Sequence, residues 1–325
     1  MRKLFFKIIC FIIPIILLIL FTEVQYRNIP NDYTYKGEYL KSNGKQIEVL
    51  ALGGSHNYRG INPDYFDKYC FNAAMVSQPL NFDYFILSKY AKYLENLEYV
   101  IIPISYPTLT KPLEEGVEYW RKYRYIHYMG YNKFSLEDIF TLNTYLAISQ
   151  ETGITIIEQL YDYWFHKKDF RDCQQNGWGK WSAEIPANLE ELGKRAALRH
   201  EDNSFHAKNM QDLNHIIDLC NNQNLQLILI TPPATSYYIQ SLNSLKWEWI
   251  NHTCDSIANQ YQHVHYLSYL DDTIFNDSFF RDGDHLNTKG AQLFSQKLND
   301  TLNHFDLIMA KEESSVKRKE EYNSY

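Results

Sequence analysis

No C-x-x-C pair occurs among the five cysteines, which fall at positions 10, 70, 173, 220 and 254, so the chain offers no zinc-finger framework. Nor is there a basic stripe. The formal charge is -7 at pH 7, which argues against a nucleic-acid partner. No internal repeat or low-complexity tract is visible, and with 45% apolar, 22% charged and 16% aromatic residues wholesale disorder is excluded. Cys70 and Cys220 sit in apolar patterns that suit reduced, buried thiols, and no essential disulfide is expected. The 325 residues allow one large domain with an insertion or two small ones.

The N-terminus carries the first positive signal. Arg2, Lys3 and Lys7 precede or interrupt an apolar run from Leu4 to Phe21, long enough to reach across a hydrocarbon core with Lys7 snorkelling to the interface. A cleaved signal peptide is the rival. The following residues, Thr22-Glu23-Val24-Gln25-Tyr26, lack an A-x-A-like site, which favours an uncleaved anchor over 4–21. The cations lie ahead of the run, so the positive-inside rule places the N-terminus in the cytoplasm and the body of the chain outside it. A polar stem is expected over 22–45, with Asn28-Ile29-Pro30-Asn31-Asp32 and Ser42-Asn43-Gly44 as breakers.

Short apolar runs at Gln46 to Leu52, Cys70 to Ala74, Tyr99 to Ile104, Leu225 to Thr231 and Val264 to Leu267 read as strands. Helical periodicity fills the intervals over Phe82 to Leu97, Asn209 to Asn222, Trp247 to Tyr261 and Thr288 to Asn303. Strand and helix alternate as in a parallel α/β sheet. The α/β domain is expected over 46–106 and 207–305, with a largely helical insertion or lid over 107–206 and a charged, solvated tail over 306–325. The insertion carries Trp120, Trp164, Trp178 and Trp181, which either staple it to the sheet or form a sugar-binding lid.

Chemistry concentrates in two places. Leu52-Gly53-Gly54-Ser55-His56-Asn57 follows the first core strand, and a glycine turn there can raise the Ser55 hydroxyl into the crevice beyond the strand ends. Gly-Gly-Ser is also an ordinary turn or helix cap. Near the other end, Asp282-Gly283-Asp284-His285 precedes the last helix. A serine hydroxyl is a poor nucleophile until a neutral imidazole removes its proton, and a carboxylate on the other ring nitrogen fixes the tautomer. His285 and Asp282 suit these roles. Asp284 could replace Asp282 as orienter, or join it and His285 around a metal, although so tight a trio seldom shares one ion. His56 is a rival base, read as a surface histidine or a substrate contact because neighbouring side chains diverge. Thr231-Pro232-Pro233 would set a rigid rim at a strand end.

These blocks resemble the SGNH (GDSL-like) hydrolases, in particular a membrane-anchored branch similar to extracytoplasmic glycan O-acetylation proteins and the D-alanyl-lipoteichoic-acid transfer protein. The resemblance covers about residues 46 to 106 and 209 to 303. It implies a flavodoxin-like three-layer α/β/α sandwich, with Gly53-Gly54-Ser55 as the nucleophile block and Asp282-x-x-His285 as the last block. Gly54 stands where the family usually has Asp. Phe71-Asn72-Ala73-Ala74-Met75-Val76-Ser77-Gln78 resembles the second block, with Ser77 at a usual glycine. The third block normally ends in Gly-x-Asn-Asp, whereas this chain has Ile104-Ser105-Tyr106-Pro107. The resemblance therefore implies an oxyanion hole from the Ser55 and Ser77 amides, with Ser105, Tyr106 or Asn72 in place of the asparagine, or an incomplete hole.

The activity implied is acyl ester hydrolysis or O-acyl transfer on a cell-envelope polysaccharide, without cofactor or metal. A membrane acyl-feeding protein is a conceivable partner. The alternatives are a catalytically silent glycan-binding or scaffolding domain and a metal-dependent phosphoester hydrolase.

Overall fold

The computed structural model describes residues 1–110, 118–201 and 207–323. In chain order the elements begin with α1 (Arg2–Arg27), α2 (Asp32–Ser42), β1 (Val49–Ala51), α3 (Ser55–Gly60), β2 (Cys70–Asn72), α4 (Leu80–Tyr90) and β3 (Tyr99–Pro103). They continue with α5 (Lys122–Met129), α6 (Leu136–Ile139), α7 (Leu142–Tyr145), α8 (Gly153–His166), α9 (Leu189–His200) and α10 (Ala207–Asn222). Last come β4 (Gln226–Thr231), α11 (Ser236–Ile239), α12 (Ser244–Gln260), β5 (Val264–Ser268) and α13 (Thr288–Asn323). All five expected strands form, each within a residue or three of its apolar run.

The strands make one parallel sheet in the order β2-β1-β3-β4-β5. This is the doubly wound order of flavodoxin-like sheets, in which the direction of winding reverses between β1 and β3. Loops leaving those two strands diverge to opposite faces and open a crevice beyond their carboxyl ends, where ligands bind in such folds. Ser55 follows β1 directly.

Because side chains alternate along a strand, Val49 and Ala51, Tyr99 and Ile101, and Ile228 and Ile230 share one face. They pack with Phe294, Leu298 and Leu302 of α13. Phe294 and Leu298 are fully buried, and each such side chain stabilises the fold by roughly 1.5–3 kcal/mol. On this side α13 also packs on α3. The opposite face holds Leu50, Val100, Ile102, Leu227 and Leu229, all fully buried, and there α10 packs on β4 and on α4. Strands covered on both faces read as unbroken apolar runs, which is why the sequence disclosed them.

The described residues divide into two compact units, one from 1–44 and 113–173 and one from 45–112 and 174–325. The described residues of the 107–206 segment fall in both units. Residues 118–173 are grouped with the N-terminus, while 107–110 and the stretch from 174 on, including α9, belong to the sheet unit; residues 111–117 and 202–206 lie outside the described residues. In the N-terminal unit the segment expected as a stem is largely the helix α2, started by an Asn31 side chain that accepts from the Tyr33 and Thr34 amides. The segment expected as a solvated tail continues α13 as far as Asn323. Residues 324–325 lie outside the described residues.

Candidate active site

The turn after β1 is built so that only glycine fits. Gly53 has φ +100°, and a Cβ there would lie 2.1 Å from the Pro103 ring at the end of β3. Its amide donates to Asp83 Oδ1 at 2.7 Å, and the same oxygen accepts from Gln78 Nε2 at 2.5 Å. Gly54 then caps α3 in an extended conformation, and Ser55 is the first helical residue. The fully buried Asn57 donates to the Leu52 carbonyl at 2.7 Å, tying the helix back to the strand end.

The histidine block is a tight turn between Phe280 and Leu286, which form an antiparallel bridge. Asp282 Oδ1 accepts from the backbone amides of Asp284 and His285 at 3.1 and 2.9 Å. Gly283 allows α9 to approach, since a Cβ there would stand 2.4 Å from Gly193 Cα. The Gly283 carbonyl accepts from both the amide and the hydroxyl of Thr235, at 3.0 and 2.8 Å. The turn is thus held by two elements as well as by its own hydrogen bonds.

These two turns meet. His285 Nε2 lies 2.7 Å from Ser55 Oγ, and His285 Nδ1 lies 3.0 Å from Asp282 Oδ1, so serine, imidazole and carboxylate form one line from residues 230 positions apart. Trp181 stands edge-on to the His285 ring, with centroids 5.6 Å apart, and the Arg59 guanidinium lies 4.9 Å from the Trp181 ring centre.

Three features escaped the sequence. His56 does not diverge from the site: its ring stacks on His285 at 4.7 Å and its Nε2 lies 3.1 Å from Asp284 Oδ2. Asp284 is buried beneath three imidazoles, with His285 Nδ1 at 3.3 Å from Oδ1 and His200 Nδ1 at 3.6 Å from Oδ2. His200 also contacts the Tyr238 hydroxyl at 2.9 Å. A histidine at the end of a helix in the 107–206 region carries no local signal of such a role. Asp83, in the apolar pattern of α4, was equally silent.

The electrostatics follow from this crowding. Burial penalises a charged His285, but Asp284 and Asp282 outweigh it and raise the ring from its ordinary 6.5 to about 10. Asp284 is pulled the other way: burial opposes its charge, and His285 and His56 nevertheless hold it well below the usual carboxylate range. His200 is lowered to about 4, chiefly by burial, and is neutral at pH 7. Asp83 is pushed up to about 7 by burial, against the stabilising hydrogen bonds from Gln78 and Gly53.

Of the expected oxyanion groups, Ser77 has a left-handed backbone, φ +56°, which is the conformation of a glycine position. The adjoining Gln78 backbone lies within 4 Å of where a Gly54 Cβ would sit. Asn72 and Ser105 have hydrogen-bond partners within the protein. Both Asn72 amide hydrogens are taken, by the Asn57 and Ile61 carbonyls at 2.7 Å each, and its oxygen accepts from Ala74. The Ser105 amide donates to Thr108 Oγ1 at 3.0 Å. The hydroxyl of the buried Tyr106 accepts from the Asn243 amide at 3.2 Å, and Tyr106 lines a small pocket with His56, Ser105, Thr231, Pro232 and Asp284.

His56, Asp284 and His285 bring potential metal ligands within 4.8 Å of one another. Both His285 nitrogens already face Ser55 and Asp282, so an ion would have to displace one of those contacts.

Fold and site define a doubly wound α/β protein with a serine, a histidine and an aspartate in hydrogen-bonding line at the switch point of its sheet. No family model matches the chain, and no curated protein does. Two solved structures are similar to it. A protein provisionally assigned as a platelet activating factor, from Streptococcus pneumonia, is 11% identical with a TM-score of 0.42, over 90% of this chain and 97% of that one. A provisionally assigned acylhydrolase from Bacteroides fragilis is 9% identical with a TM-score of 0.41, over 82% and 95%.

Proposed function

We propose that this protein is a serine-dependent acyl ester hydrolase or O-acyltransferase of the SGNH type, held at a membrane by α1 and acting outside the cytoplasm on an acylated cell-envelope polysaccharide. The observation that carries the chemistry is the line Ser55 Oγ, His285, Asp282, with contacts of 2.7 and 3.0 Å. Ser55 Oγ attacks the acyl carbonyl while His285 Nε2 takes its proton, and collapse of the tetrahedral adduct returns that proton to the departing alcohol. The resulting acyl-serine is released by water or by a sugar hydroxyl, with His285 as base again. Asp282 holds Nδ1–H and offsets the charge that forms on the ring. The oxyanion donors in this reading are the backbone amides of Ser55 and Ser77.

The membrane and envelope part of the reading rests on α1, whose apolar stretch is exposed along its length, on the cations at Arg2, Lys3 and Lys7, and on the family resemblance. A fluorophosphonate probe tests the chemistry. It should label the full-length protein and leave Ser55→Ala unlabelled, with ester hydrolysis reduced on the order of 10⁴-fold or more. Absence of labelling in the folded parent protein would instead favour a silent binding domain.

A further inference from the structure

In the N-terminal unit an amphipathic helix lies where α1 leaves its apolar stretch. Ile156 and Leu160 of α8 are buried against Tyr26 and Ile29. At 100° per residue, a second arc of the same helix carries Ile154, Ile157, Tyr161, Trp164 and Phe165, and a third carries Thr155, Glu158, Gln159 and Asp162. The second arc is apolar yet open to solvent: Ile154 is 73%, Ile157 70% and Phe165 68% exposed. A helix needs only one apolar arc to pack on its neighbour. The second one is unaccounted for by the fold.

The α6–α7 segment repeats the pattern beside the same part of α1. Phe140 is 87% and Leu142 67% exposed. The segment is tied down at its end, where Glu23 accepts from the Ala147 and Ile148 amides at 2.9 and 3.1 Å and Arg27 donates to the Tyr145 carbonyl at 2.6 Å.

Height along α1 identifies what covers these residues. Tyr26 stands five residues beyond Phe21, the last apolar residue of the run, or about 7.5 Å at 1.5 Å per residue. The headgroup zone on each side of a bilayer is roughly 5–8 Å deep. An interfacial helix sinks its apolar face about 5–10 Å into that zone, with Trp and Tyr enriched there. We infer that the α8 arc and the Phe140–Leu142 edge are seated in the headgroup layer of the membrane that α1 enters, so that the N-terminal unit lies on the lipid surface rather than standing off it. This rests on the proposed reading of α1 as a membrane anchor.

Two probes in one preparation separate the inference from that reading. Cys10 lies within α1, and Cys70, Cys173, Cys220 and Cys254 are buried, so a membrane-impermeant maleimide reports the anchor. Trp164 reports the seating, its emission obtained as the difference between the parent protein and Trp164→Phe. The full chain is reconstituted in phosphatidylcholine nanodiscs at one copy each, with or without lipids brominated near the top of the acyl chain. The expected result is a shielded Cys10 and at least twofold quenching of the Trp164 component by the brominated lipid. A shielded Cys10 with unquenched Trp164 overturns the seating and leaves the anchor standing. A reactive Cys10 overturns both. Shielding of Trp164 from water only when two copies share a disc, without lipid quenching, would assign the face to a second copy and also overturn the inference.

Discussion

Replacing Asp284 by Asn should move the pH dependence of the reaction, and the direction separates the two aspartates of the histidine turn. In the parent protein Asp284 and Asp282 together raise His285 from 6.5 to about 10, although burial works against them. A base must be neutral to accept the Ser55 proton, and with such a value only about one ring in a thousand is neutral at pH 7. The acid limb of kcat/KM should therefore climb from neutrality towards about pH 10. Asn keeps the shape of the buried side chain and an acceptor for His56 Nε2, but removes one of the two charges that hold the proton on His285. If that charge supplies even a third of the elevation, the acid limb shifts down by about one pH unit, and hydrolysis of p-nitrophenyl acetate at pH 7 rises about tenfold. Stability moves oppositely. A raised histidine value means stabilisation that is complete below 6.5 and lost as pH rises through about 10, on the order of 5 kcal/mol in the parent and less in the variant. Asp282→Asn should instead depress kcat by several orders of magnitude, because the imidazole loses the partner that fixes its tautomer. An unchanged acid limb in Asp284→Asn, with the fold intact by circular dichroism, would refute the assignment of the raised value to this carboxylate.

Gly53→Ala places a methyl group 2.1 Å from the Pro103 ring at φ +100°, and should destabilise the fold by about 1–3 kcal/mol in thermal unfolding with a matching loss of turnover. Asp83 is a carboxylate raised to about 7, so the folded state favours its protonated form and stability declines as pH climbs from about 4 through 7. Asp83→Asn should flatten that decline and leave the protein more stable at pH 8 by roughly 1–4 kcal/mol, measured by denaturant titration. Incubation with EDTA should leave ester hydrolysis unchanged, whereas a loss restored by added zinc would move His56, Asp284 and His285 from the role of a proton network to that of metal ligands.

The α/β class, the two chemistry-bearing turns and the apolar N-terminal run were legible in the order of residues alone. Each is local. Strands buried on both faces must be continuously apolar, so Val49–Ala51, Tyr99–Pro103 and Gln226–Thr231 stood out without knowledge of their partners. Gly53 and the Asp282–His285 spacing are likewise properties of a few consecutive residues. The tertiary structure decided everything that depends on chain segments meeting. It turned His56 onto the face of His285, brought His200 from the 107–206 region against Asp284, and used Asp83 to hold the Gly53 amide. It also gave the Asn72 side-chain amide and the Ser105 backbone amide acceptors within the protein. The physical reason is that hydrogen bonds and burial penalties depend on distances between residues far apart in sequence, and those distances are set only when the sheet brings its strand ends to one edge.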